Sequence, residues 1–138
     1  MTDDTTLDRI CAEEGFRAQA YRDPRGFWTI GFGFNMEVPR SRDFWLKVTA
    51  IVLSEVRAEL FKALPWYAKL DDVRRSVLDD MAYNMGIEKL VGFRNTLAAI
   101  ERGDWFTAAD QMMQSAWYHQ TGERARKLVN AMRSGQWA

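Results

Sequence analysis

Cysteine is almost absent from this chain of 138 residues, where Cys11 stands alone. No intramolecular disulfide is possible, and a lone Cys on an apolar helix face reads as a small buried hydrophobe. Histidine is equally scarce: His119 has no second His or Cys at ligand spacing, so neither a metal site nor any cofactor is expected. Net charge is absent too, with 19 basic residues against 19 acidic ones. Whole-protein attraction to nucleic acid or to an anionic wall polymer is therefore not expected. No run approaches the ~18–20 apolar residues of a membrane span, which excludes direct membrane insertion. The opening Met-Thr-Asp-Asp-Thr-Thr has neither a positive stretch nor an apolar core, so no signal peptide is read there. The expectation is a soluble protein made in a reducing cytoplasm. Internal repeats, linkers and low-complexity tracts are missing as well.

What is present is a globular composition, 47% hydrophobic and 13% aromatic. The length suits one domain, with room for two lobes. The stretch 14–33, EGFRAQAYRDPRGFWTIGFG, organises the reading. Leu7, Ile10, Cys11 and Glu14 recur at i, i+3, i+4 and i+7, one face of a helix. Thr5 or Thr6 can cap its start, and Gly15 stands where a helix stops. Glu14 thus continues the apolar stripe, whereas Glu13 points elsewhere. Partial burial and the negative end of the helix dipole both disfavour a charged carboxylate there, which suits a general acid. A frayed acidic helix end is the bland alternative.

A hairpin follows. Ala18 and Ala20 alternate with Arg17, Gln19 and Tyr21, and Phe27-Trp28-Thr29-Ile30 is aromatic and β-branched. Asp23-Pro24-Arg25-Gly26 between them fits a type I turn, and a pure turn role for Asp23 stays open. Gly31 and Gly33 let backbone or sugar approach closely.

Residues 34–39 read as a connector, and Ser41 can cap a helix after Pro39. Phe44, Val48, Val52 and Val56 predict one long helix or two short ones over 42–63, ending before Pro65. Residues 72–85 turn Val73, Val77, Leu78, Met81 and Met85 inward. Further helices are expected near 87–91, 95–101, 105–114 and 123–133, with breaks at 103–104 and 121–122. Met81, Met85, Met112 and Met113 are core filler. Arg124, Arg126, Lys127 and Arg133 form a basic run, commonly just a solvated helix face.

Glu14-Gly15, then Asp23, then Thr29-Ile30-Gly31 resembles the catalytic segment of phage lysozymes of the T-even type, the muramidases of glycoside hydrolase family 24. Asp72-Val73-Arg74-Arg75, Asn84-Met85-Gly86, Gly92-Phe93-Arg94-Asn95-Thr96-Leu97 and Trp117-Tyr118-His119-Gln120-Thr121 extend the likeness. So do Arg124-Ala125 and Arg133-Ser134-Gly135-Gln136-Trp137. The resemblance covers about residues 7–35 and 66–137. It implies an α+β, mostly α, lysozyme-like fold. A small β lobe near 15–40 and a larger helical lobe, about 66–138 plus the N-terminal helix, would flank a cleft, joined by the 42–63 helix. No motif matches in 42–63, and the β lobe is shorter than in the T-even enzyme.

The resemblance makes Glu14 the general acid, with Asp23 and Thr29 positioning the hydrolytic water. Arg124 would pair with Glu14, and Gly31, Phe34, Asn84, Phe93 and Asn95 would bind or support substrate. Many relatives carry a histidine where this chain has Phe34, so their structural histidine ion pair cannot form here. The implied partner is the glycan strand of peptidoglycan, cut by a monomer that reaches the wall through a holin. A lytic transglycosylase and a non-catalytic wall-binding virion protein remain as alternatives.

Overall fold

A computed structural model describes residues 2–137. The chain adopts the α+β, mostly helical class expected of it, and divides into two compact units, Met1–Trp45 and Leu46–Ala138.

The first unit holds a helix and a small sheet. Helix α1 spans Thr5–Glu14 and strands β1, β2 and β3 span Arg17–Arg22, Trp28–Gly31 and Phe34–Asn35. The cap of α1 is Asp4, not Thr5 or Thr6: its carboxylate accepts the amides of Thr6 and Leu7. An Asp one residue earlier outranks Thr as an N-cap and draws both threonines into the helix. Gly15 closes α1 at φ 72°, donating its N–H to the Cys11 carbonyl. The antiparallel order is β1-β2-β3. The expected alternation of β1 is broken by an irregularity between Arg17 and Tyr21, and Ala18 and Ala20 are both exposed. Strand β3 lies in the segment read as a connector, because two residues are too few to show a period. Cys11 is half-buried rather than fully buried.

Helix α2, Arg42–Ala63, is one continuous helix that crosses the boundary between the units. A short 3-10 turn follows at Tyr67–Lys69. The second unit then runs through α3 (Asp72–Met85), α4 (Ile87–Val91), α5 (Arg94–Glu101), α6 (Trp105–Met113), α7 (Ala116–Thr121) and α8 (Glu123–Ser134). Side chains of Asp71, Asp104 and Ser115 cap α3, α6 and α7. No helix among the described residues is long and apolar enough to cross a membrane.

The buried core belongs to the second unit. Leu60, Val77, Leu78, Met81, Leu90, Ile100, Met112, Val129 and Met132 are its largest fully buried side chains. Val73 and Met85, expected inward, are only partly buried against it. Arg74 joins α3 to the end of α8: its Nε donates to the Met132 carbonyl at 2.6 Å and its Nη2 to that of Arg133 at 3.0 Å. The same guanidinium lies 4.0 Å over the Trp105 ring.

Among the described residues, one charged side chain is buried in this unit. Asp79 on α3 is 5% exposed. Its carboxylate accepts the Tyr67 hydroxyl and, at 3.0 Å, the Nε of Arg57 on α2. A buried carboxylate is tolerable only with such partners. Burial, and then the Asp79 carboxylate, push the Tyr67 phenol well above its ordinary range. Its proton therefore stays in the pair, and stability linked to it is present below the ordinary phenol value and lost as the pH climbs past it. Tyr67→Phe leaves one Asp79 oxygen without a partner. It should lower unfolding stability by about 1–3 kcal/mol, read from urea midpoints at neutral pH. An unchanged midpoint would show that the pair contributes nothing net.

Candidate active site

The site starts from a turn. Asp23 donates its N–H to the Phe27 carbonyl, and Gly26 donates its own to the Asp23 carbonyl, each at 2.9 Å. The Asp23 side chain locks that turn: Oδ1 accepts the amides of Arg25 and Phe27, both at 2.9 Å. This is the local hydrogen bonding that favours Asp at turns. Oδ2 has no partner among the described residues.

The turn delivers β2 alongside β1, with Tyr21 opposite Thr29 and Arg22 opposite Trp28. Thr29 is 3% exposed, the one buried side chain of the first unit among the described residues. Its hydroxyl donates to the Phe27 carbonyl at 2.9 Å. A hydroxyl has a single proton, so Oγ1 is left with lone pairs only. Asp23 and Thr29 are thereby anchored to the same residue, Phe27. Each keeps one acceptor uncommitted, Oδ2 and Oγ1. That is an acceptor pair, suited to a ligand that donates protons, such as water.

Glu14 ends α1, and Gly33 explains where its carboxyl rests. A Cβ built on Gly33 would overlap the Glu14 carboxyl, and Gly33 has φ +71°. Only glycine permits both that backbone and that contact. Glu14 has neither a hydrogen bond nor an ion pair among the described residues. It is exposed, and α1 buries no residue. The partial burial expected from the apolar stripe is therefore corrected. Leu7, Ile10 and Glu14 do share a face, but a face need not be covered. Glu13 does not point away from this region either: both glutamates border a shallow cavity of about 230 Å³ along α1. The three atoms nearest to a Cβ on Gly33 all belong to Glu14.

Gly31 ends β2 opposite Arg17, and a Cβ there would meet open space. Phe34 stacks on Phe44 with ring centroids 5.9 Å apart, and the Arg40 guanidinium lies over both rings. In the second unit, Asn84 accepts the Trp117 indole N–H at 3.0 Å, and Phe93 meets the same indole edge-on at 6.3 Å. Phe93 and Asn95 line a polar cavity of about 310 Å³ with Gln111, Gln114 and Ser115. Arg124 is held by Asp80, whose Oδ1 accepts Nε at 2.8 Å and Nη2 at 2.7 Å. Asp80 escaped the sequence reading, since an acid on a helix facing a distant arginine leaves no local signal. No group of three or more His, Cys, Asp or Glu among the described residues could hold a metal ion.

The first unit thus presents a helix-borne carboxyl against a glycine of the turn between β2 and β3, and an Asp–Thr acceptor pair on the hairpin of β1 and β2. The sequence matches the phage lysozyme family over residues 11–134, and the chain belongs to that family. It is 24% identical to "Probable T4-type lysozyme 1" of Dictyostelium discoideum over 93% of each chain. It is 22% identical to "Probable T4-type lysozyme 2" of the same organism, again over 93% of each. It is also 24% identical to the "Pre-baseplate central spike protein Gp5" of Enterobacteria phage T4, covering 89% of this chain and 26% of that one.

Proposed function

We propose that this lysozyme hydrolyses the β-1,4 bond between N-acetylmuramic acid and N-acetylglucosamine in peptidoglycan by single displacement with inversion. Glu14 protonates the leaving glycosidic oxygen. A water held by Asp23 Oδ2 and Thr29 Oγ1 attacks the anomeric carbon from the opposite face. The observation that carries this reading is the acceptor pair anchored at Phe27. Asp23 has one oxygen committed to two amides, and Thr29 has spent its proton. A water donating into both acceptors turns a lone pair outward, towards carbon. A retaining enzyme would need Asp23 itself as nucleophile and would leave Thr29 without a task. The polar cavity at Phe93 and Asn95, and the Asn84–Trp117 pair, are proposed to bind parts of the same wall polymer. We place the protein in host lysis, acting as a monomer delivered to the wall by a holin. Its kinship with a phage spike protein favours a virion-borne role as the second setting for the same chemistry.

Proton NMR of a wall digest, recorded before mutarotation, tests the stereochemistry. The first product should be the α-anomer. A β-anomer or a trapped glycosyl-Asp23 adduct would overturn the water-holding role, and a 1,6-anhydro sugar would make the protein a transglycosylase.

Gly33→Ala tests the placement of the acid. The new methyl meets the flexible tip of Glu14 rather than backbone, so the carboxyl swings aside. The left-handed backbone adds about 1–2 kcal/mol of strain. Thermal melts should show that modest loss, while wall hydrolysis falls by roughly tenfold or more from misplacement alone. Full activity in a destabilised Gly33→Ala protein would show that the contact does not position Glu14.

A further inference from the structure

The peptide joining Phe27 to Trp28 is engaged on both sides. Its carbonyl accepts the Asp23 N–H and the Thr29 hydroxyl, each at 2.9 Å. Its N–H donates to Glu37 Oε2 at 2.7 Å. The carboxylate takes the place of a backbone acceptor. Thr29 pairs with Asn35 and the Trp28 carbonyl accepts the Met36 N–H at 2.9 Å, so regular antiparallel pairing would send the Trp28 N–H to Met36. The ladder of β3 has already ended, and Glu37 reaches back instead. Its own N–H is fixed at 2.9 Å on Asn35 Oδ1. On the turn side, Arg22 donates Nη1 to the Gly26 carbonyl at 2.9 Å and lies 4.5 Å over the Trp28 ring. Glu37 and Trp28 are otherwise exposed, and Glu37 has no cation as partner among the described residues.

From this arrangement we infer that Glu37 is a positioning residue for the hydrolytic water, acting through the Phe27–Trp28 peptide on Thr29. The inference rests on the hydrolase reading above. A carboxylate accepting from an amide N–H makes a stronger bond than a carbonyl does. It also polarises the amide, so the carbonyl of that peptide becomes a better acceptor. The group receiving that gain is the Thr29 hydroxyl. The tighter Thr29 holds its proton on Phe27, the more fully Oγ1 is kept as an acceptor aimed at water. A neutral acceptor at position 37 would relax that commitment. The hydroxyl would then rotate part of the time and offer its proton to the water, turning the nucleophile's lone pair away from carbon.

Glu37→Gln keeps an acceptor of the same reach and removes only the charge. In NMR spectra of the intact protein, the Trp28 amide proton should move upfield and the Thr29 hydroxyl proton should exchange faster. Other hairpin resonances should stay in place. In wall hydrolysis, kcat should fall by roughly three- to tenfold, the scale of losing the charged part of one hydrogen bond, with KM unchanged. Glu37→Ala should lose more, since water then replaces the acceptor. Wild-type kcat in Glu37→Gln, or an unmoved Trp28 amide, would overturn the inference. So would loss of the hairpin's dispersed resonances with a matching rise in KM, which would make Glu37 merely structural. If instead wild type and Glu14→Gln are equally inactive on walls, it is the hydrolase reading that fails. The two NMR shifts then still decide whether Glu37 governs the Thr29 proton.

Discussion

Glu14→Gln should lower kcat for wall hydrolysis by about 10²–10⁴-fold, the contribution of a positioned general acid, while the protein melts as the wild type does. The side chain keeps its length and still fits against Gly33. It breaks no hydrogen bond or ion pair, since Glu14 has none among the described residues, and it is exposed. Surface changes of that kind usually stay within about 0.5 kcal/mol. What it loses, on the proposed mechanism, is the proton to give. Glu13→Gln is the matched comparison: the same change of charge, on the same helix, beside the same cavity. It should keep activity within about twofold, because Glu13 is exposed and its charge acts through water of high dielectric. The pair therefore separates the chemistry of one carboxyl from the electrostatics of the α1 end. Equal lysis by the two variants would remove Glu14 from the acid's role.

The same contrast shows which features a sequence makes legible. Helices α2 and α3 have the bounds read from the chain, 42–63 and 72–85, because proline, caps and a long apolar period agree there. Helix α7 was missed: Trp117 to Thr121 has too few residues for a period, and its start depends on the Ser115 side chain reaching the Tyr118 amide. Asp79 was missed for the opposite reason. It sits on a face that the pattern assigns to apolar residues, and its partners Tyr67 and Arg57 lie elsewhere along the chain. At the candidate site, residue types and spacing singled out Glu14, Asp23 and Thr29 through a family likeness, but not how they are held. Gly33 read as room for something to approach, and the sequence did not say that Glu14 is what approaches. Glu37 had no signal at all, since a carboxylate standing in for a strand carbonyl has no pattern of its own.

Asp23→Asn should lose about a hundredfold or more in kcat and almost nothing in stability. The sequence set the turn role of Asp23 against a water-holding role, but the geometry lets one side chain do both. Oδ1 accepts the Arg25 and Phe27 amides, and Oδ2 is uncommitted. Asn meets the first demand, because its carbonyl oxygen is also favoured at this turn position. The two amides fix which way it faces, since an NH₂ turned towards them would set donor against donor. The NH₂ therefore occupies the place of Oδ2. A donor then stands where the proposed water needs an acceptor, and the negative charge that would draw its proton is gone. Asp23→Ala removes both halves and should also cost about 1–2 kcal/mol, from two amides left to solvent. The expected pattern is thus a wild-type melt with lost activity for Asn, and a lowered melt with lost activity for Ala. Near-normal cleavage by a well-folded Asp23→Asn protein would return Asp23 to the turn alone. Thr29 would then have no partner in holding water, and the inverting mechanism would lose its base.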